Sequence, residues 1–146
     1  MANYAFLYSS ASDSPPDPDD EDEAVIESKY AIPALWFTVF DQSTILTYED
    51  PDDEGTLTCL ITTKDAALTR FEARSKMFGQ LFQNSEPYCE EWASLIRNLP
   101  GAYLKAEVYE VLEMSTDANE LPLALSLLDQ PAPEAIKAFF ALTSLP

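Results

Sequence analysis

From Tyr4 to Ser9 the chain alternates with a period of two: Tyr4, Phe6 and Tyr8 on one side, Ala5, Leu7 and Ser9 on the other. Mostly apolar residues on both sides predict a strand that is central in a sheet or covered. A polar stretch rich in serine, proline and acid follows, and from Ala24 the chain turns apolar. In "AIPALWFTVF" Pro33 suits the first turn of a helix. Leu35, Trp36, Val39 and Phe40 share one face at helical spacing, so a short buried helix is expected from about Pro33 to Asp41.

The segments "TILTY" (Thr44 to Tyr48) and "TLTCLITT" (Thr56 to Thr63) are rich in β-branched residues. They flank an acidic turn ending in Gly55, which reads as a hairpin with that turn at its tip. In the second segment Leu57, Cys59 and Ile61 alternate with threonines on the near half. The clearest helix is "KDAALTRFEARSKMFGQLF", with Ala67, Phe71, Phe78 and Phe82 in one stripe beside Leu68, Ser75 and Leu81. Thr62 and Asp65 suggest a capping box. Arg70 and Arg74, one turn apart, read either as a solvated helix flank or as a salt-bridge anchor, internal or to a partner. A second helix is expected from Glu86 to Leu99, with Ser85 as cap, Pro87 in the first turn and Tyr88, Trp92, Leu95, Ile96 and Leu99 on the apolar face.

"AYLKAEVYEVLEMS" is ambiguous. Leu104, Val108, Val111 and Leu112 suit a helix, whereas partial alternation and the valine and tyrosine content suit a strand; a helix is favoured over 103–114. "LPLALSLLD" is a short apolar segment. "PEAIKAFFALTSL" closes as a helix with Pro133 in its first turn and Ile136, Phe139 and Phe140 inward. The expected fold class is α+β: a single domain over 1–146, with a small antiparallel sheet (the N-terminal strand plus a hairpin) packed by several helices. A flexible acidic loop over 12–24 lies within it.

Length and composition agree with one domain. The 146 residues are 47% apolar and 12% aromatic, sufficient for a core without disulfides or metal. Charge changes the picture more. The formal net charge is -18. Twelve of the 26 acids lie in two runs, Asp13 to Glu23 and Glu49 to Glu54, and neither run holds a base. The remaining 14 acids against 8 bases leave the rest of the chain acidic as well. Such a field repels nucleic acid and anionic lipid and speeds encounter with basic surfaces. The plainer reading of each run is solubility. The opening "MANYAFLYSS" lacks a basic stretch before a long apolar one, and no apolar run approaches a membrane span, so a cytoplasmic protein without a membrane partner is expected. Cys59 and Cys89 read as reduced, packed side chains.

With no histidine, the commonest general base is missing and no Ser-His-Asp or Cys-His arrangement can form. Three scattered glycines, Gly55, Gly79 and Gly101, offer no phosphate-cradling loop. Glu90 with Glu91, or Glu107 with Glu110, are conceivable paired acids of the glycosidase kind, but neither pair has a recognisable context. The acidic runs lack the spacing of a calcium loop. No enzymatic activity, cofactor or metal site is therefore expected.

"MANYAFLYS", "SKYAIPALWFTVF" and "LITTKDAALTRFEARSKMF" together resemble a family of small, acidic, bacterial cytosolic proteins that open with a strand ending in Leu-Tyr-Ser. The resemblance spans roughly the first 85 residues. Proteins of this type look like immunity proteins of toxin systems, including Rhs toxins and type VI secretion in bacterial competition. The resemblance implies an inhibitor of a cognate intracellular toxin, such as an ADP-ribosyltransferase or nuclease domain, that blocks a basic active-site cleft. It carries over no catalytic or binding motif. The acidic insertion at Asp13 to Glu23 departs from it.

The candidate contacts are the hairpin-tip acids Glu49, Asp50, Asp52, Asp53 and Glu54, because a preorganised tip loses less entropy on binding than a flexible run. Tyr48 and Tyr88 are candidate aromatic anchors, with ordinary packing as their plainer reading. Two other readings remain. One is a DNA-mimic or anti-restriction protein, against which the bunching of charge in loops counts. The other is an adaptor or chaperone for a secreted effector.

Overall fold

The computed structural model describes residues 3–16, 23–50, 52–114 and 119–143. Its fold is α+β: one five-stranded, wholly antiparallel sheet with a layer of helices. The strands are β1 (Tyr4–Ser10), β2 (Glu23–Lys29), β3 (Ile45–Glu49), β4 (Thr56–Thr63) and β5 (Tyr103–Glu107). The helices are α1 (Lys64–Leu81), α2 (Glu86–Arg97), α3 (Tyr109–Leu112), α4 (Glu120–Ser126) and α5 (Pro133–Thr143). The spatial order of strands is β2-β1-β5-β4-β3.

Two strands depart from the sequence reading. The favoured helix over 103–114 is overturned, because 103–107 form β5, the middle strand of the sheet. Its alternation decides it: Leu104 and Ala106 are buried opposite Ser9 and Leu7 of β1, and Thr62 and Leu60 of β4. Only the tail of the segment is helical, as the single turn α3. The other departure is β2. The loop placed at 12–24 ends at Glu23, where a strand begins and pairs with β1. Residues 11–14 of that loop are exposed and Pro16 is buried, while 17–22 lie outside the described residues. The N-terminal strand and the hairpin are therefore not neighbours; β5 lies between them.

The hairpin forms where expected, and β4 covers Thr56–Thr63 residue for residue. The segment after Pro33 is a 3-10 turn, Ala34–Thr38, rather than the α-helix expected to Asp41. Trp36, Phe37, Val39 and Phe40 are all buried. A segment buried on nearly every side has no polar face to set an amphipathic helix, and packing decides its course. Thr38 is buried too; its hydroxyl donates to the Leu35 carbonyl at 2.6 Å and accepts from Trp92 Nε1 at 3.1 Å.

The N-cap of α1 is Thr63, one residue after the expected Thr62, and its hydroxyl accepts from the Ala66 N–H at 3.1 Å. The buried stripe of α1 is Ala67, Phe71, Arg74 and Phe78. Arg74 and Arg70 are internal anchors. The Arg74 guanidinium is 3% exposed and donates to the carbonyls of Phe37 at 2.9 Å and Phe40 at 2.6 Å. It also pairs with Asp129 through Nε and Nη2. Arg70 pairs with Asp41 at 2.9 Å and donates to the Val39 carbonyl and the Thr62 hydroxyl. The two arginines thus tie the apolar 33–41 segment, which lacks a regular ladder of its own, to α1.

Helix α2 starts after Ser85 as expected, although the Ser85 side chain makes no cap bond, and it runs Glu86–Arg97. Helices α4 and α5 pack on each other. Phe139 is buried, edge-on to Phe37 with centroids 5.0 Å apart. Phe140, expected inward, is 48% exposed: it follows Phe139 by about 100° around the helix and points off the core. Among the described residues, no helix is long and apolar enough to cross a membrane.

Candidate functional site

The hairpin tip is a built turn. The Asp50 N–H donates to the Gly55 carbonyl at 3.1 Å and closes it. The Asp52 N–H donates to Asp50 Oδ1 at 2.9 Å, and the Glu54 N–H to Asp53 Oδ1 at 2.8 Å. Gly55 has φ +111, a conformation that a side chain would strain. These bonds hold the backbone while Asp52, Asp53 and Glu54 stay exposed. Glu49 ends β3 opposite Thr56 and is exposed, and Asp50 is half-buried. Pro51 lies outside the described residues.

Tyr48 connects this tip to the sheet. It pairs with Leu57 and shares a face with Leu46 and Cys59. The same face carries Phe6 and Tyr8 of β1 and Lys105 and Glu107 of β5, by alternation through the register. Glu107 stands opposite both Phe6 and Cys59. The thiol of Cys59 is fully buried and pushed up to about 12, by desolvation first, with Glu107 adding to it and Lys105 opposing. Lys105 is also fully buried, flanked by Tyr8 and Ile61 on the neighbouring strands, and its Nζ donates to the Ser12 hydroxyl at 3.2 Å.

Charge accumulates at the end of the sheet nearest the tip. Burial raises the Glu107 carboxyl above its ordinary range and Glu110 raises it further, while a hydrogen bond from Tyr8 lowers it. Glu110 is raised by burial and by Glu113. The phenols of Tyr48 and Tyr109 are raised by burial, then by neighbours that include Glu107 and Asp50 for both. Asp50 thus links the tip electrostatically to Tyr48 and Tyr109, and through them to Glu107 and Glu110. This is one continuous acidic region, with tyrosines set into it.

Tyr88 stands apart. It is 64% exposed on α2, whose Cys89, Trp92, Ala93 and Ile96 bury themselves in the cluster on the helical side of the sheet. The structure gathers Glu49, Asp50, Asp52, Asp53, Glu54 and Tyr48 at one end of the hairpin and leaves Tyr88 with the helices. It adds Glu107, Tyr109 and Glu110, which sequence reasoning had considered only as a chance acid pair or as helix residues. The alternation of Tyr103, Lys105 and Glu107 was the signal that would have placed Glu107 on the strand face; Tyr109 and Glu110 follow it in α3.

Both cysteines are free and buried. A groove of about 990 Å³ lies between α1 and α2, lined by Phe71, Lys76, Ser85, Cys89 and Arg97 among others. It holds none of the tip residues. Among the described residues, no group of three or more His, Cys, Asp or Glu side chains is arranged to hold a metal ion. Comparison with protein-family models, curated proteins and solved structures found no match.

Proposed function

We propose that this chain is a non-catalytic, cytoplasmic immunity protein that binds and neutralises a cognate intracellular bacterial toxin by occupying a basic active-site cleft. The observation that supports it is the preorganised acidic tip. One backbone hydrogen bond and two from backbone N–H groups to the Asp50 and Asp53 carboxylates hold the turn, and Asp52, Asp53 and Glu54 project from it into solvent. A net charge of -18 steers such a protein to a cationic cleft, and a tip that is already ordered keeps most of the contact energy on docking. Toxins that act on nucleic acid or NAD carry clefts of that sign, and fixed carboxylates mimic their anionic substrates.

The test is a tagged pull-down from the native host, washed at low and then high salt, followed by co-expression. A stoichiometric partner that is toxic alone and harmless with this chain supports the reading. Asp52→Lys with Asp53→Lys should then slow association and weaken protection. A partner that is bound yet stays toxic would replace immunity with an adaptor or chaperone role. Many basic partners that all leave at high salt would reduce the acidic runs to a nonspecific field.

A further inference from the structure

The apolar stripes of the described helices are buried in one cluster, with Leu7, Leu60, Leu104 and Ala106 from one face of the sheet. On the opposite face the short helix α3 brings Tyr109 beside Tyr48 at one end, and Ser12 reaches the buried Lys105. This face presents a ladder of rings along β1: Tyr4 and Phe6 stack with centroids 5.9 Å apart, Phe6 and Tyr8 with 6.1 Å. All three rings are half-buried and none belongs to the core cluster. Leu46, on edge strand β3, is 37% exposed on the same face. Aromatic and apolar area left in contact with water marks an interaction surface.

Charge complementarity selects the occupant. Where this face meets the hairpin tip, the charged groups that act on Tyr48, Glu107, Tyr109 and Glu110 are the carboxylates of Asp50, Glu107, Glu110 and Glu113, which favour a cation there; the bases of this face, Lys105 opposite Tyr8 and Lys29 opposite Tyr4, lie along the ladder instead. A guanidinium matches both features of the surface. It is planar, stacks on aromatic rings and pairs with a carboxylate through two parallel donors. An ammonium offers charge without the plane.

We propose that the tip end of this face, around Tyr48 and Glu107 where the Tyr4–Phe6–Tyr8 ladder meets it, docks an arginine-bearing segment of a protein partner, with a guanidinium stacked on a tyrosine and paired with Glu107. The inference deepens the immunity reading and rests on it for the identity of the partner. The surface chemistry is testable without that partner.

The experiment titrates the ¹⁵N-labelled full chain with a tri-arginine peptide and with tri-lysine, at physiological ionic strength. Amide shifts should concentrate on β1, Tyr48 and 107–110, and tri-arginine should bind several-fold more tightly. Glu107→Gln should abolish that preference. Tyr48→Leu, which keeps apolar volume, should reduce it if Glu107→Gln disturbs the fold by circular dichroism. Asp52→Asn with Asp53→Asn should weaken both peptides equally. Equal affinities, or shifts confined to the tip and to 11–16, would overturn the proposal. So would line broadening over the ladder that grows with protein concentration alone, which would assign the face to self-association. The two readings fail separately. Arginine-selective binding without any toxic partner retains the docking face and sinks immunity. Protection from a toxin that Glu107→Gln and Tyr48→Leu leave intact does the reverse.

Discussion

Replacing Arg74 by methionine removes a guanidinium that is 3% exposed while keeping much of the apolar stem that packs in α1. Two kinds of interaction disappear. The first is the pair with Asp129, whose carboxylate is 57% exposed and so returns to water at little cost. The second is the pair of bonds to the carbonyls of Phe37 and Phe40, which lie among buried aromatic side chains without a helical ladder to satisfy them. An unsatisfied buried acceptor costs about 1–3 kcal/mol. Two of them, less the burial gained by the thioether, give a loss of about 2–5 kcal/mol. Asp129→Asn leaves the carbonyl bonds but takes the counter-charge from a buried guanidinium, and should cost about 1–3 kcal/mol. Urea unfolding followed by tryptophan fluorescence measures both, because Trp36 and Trp92 are buried in the core. An Arg74→Met loss no larger than that of Asp129→Asn would refute the reasoning. It would mean that the ion pair, rather than the carbonyls, gives Arg74 its role.

Three further outcomes follow from local geometry. Gly101→Ala places a Cβ 2.4 Å from the Ser10 carbonyl oxygen and 2.5 Å from its nitrogen, so the β1 end must shift; a loss of about 1–3 kcal/mol in thermal or urea unfolding is expected. Stability should pass through a maximum in mildly acid solution. Glu107 and Glu110 have raised folded pKa values, so their contribution is full below the unfolded value and lost as pH rises through the folded one. Asp41 is opposite: desolvation disfavours its charge, but the Ser43 hydroxyl and Arg70 outweigh it, so its contribution is lost as pH falls through a depressed value. Urea midpoints from neutral to acid pH check this, and Glu107→Gln should flatten the neutral limb; a steady rise in stability up to neutral pH would contradict it. Finally, Cys59, buried and pushed up to about 12, should react with a thiol reagent at neutral pH only at the rate of unfolding, and labelling as fast as a free thiol would show the face to be open there.

Much of the fold was legible where a local pattern and its burial agree. The alternation in Tyr4–Ser9 placed β1 inside the sheet, and the β-branched runs around Gly55 placed the hairpin. The capping, proline and stripe signals located α1, α2 and α5. The tip acids were also readable, since a turn between two strands must be solvated whatever it packs near. The misreading of 103–107 as a helix has a tertiary cause. In 103–107, every second residue faces the core, while Tyr103, Lys105 and Glu107 are covered by neighbours that the chain supplies from β1 and β4. A buried lysine in mid-strand cannot be anticipated from five residues.

The sequence by itself determined the elements whose stability is local and the sign of the field around the molecule. Spacing, caps and turn residues act over a few positions, and net charge needs no fold. Only the tertiary structure decided which strand is central, that Arg70 and Arg74 turn inward to satisfy carbonyls of the 33–41 segment, and that Tyr48 and the tip acids join Glu107, Tyr109 and Glu110. These choices depend on pairing residues that lie dozens of positions apart. There the energy of burial and of satisfied polar groups, and not local propensity, selects among alternatives.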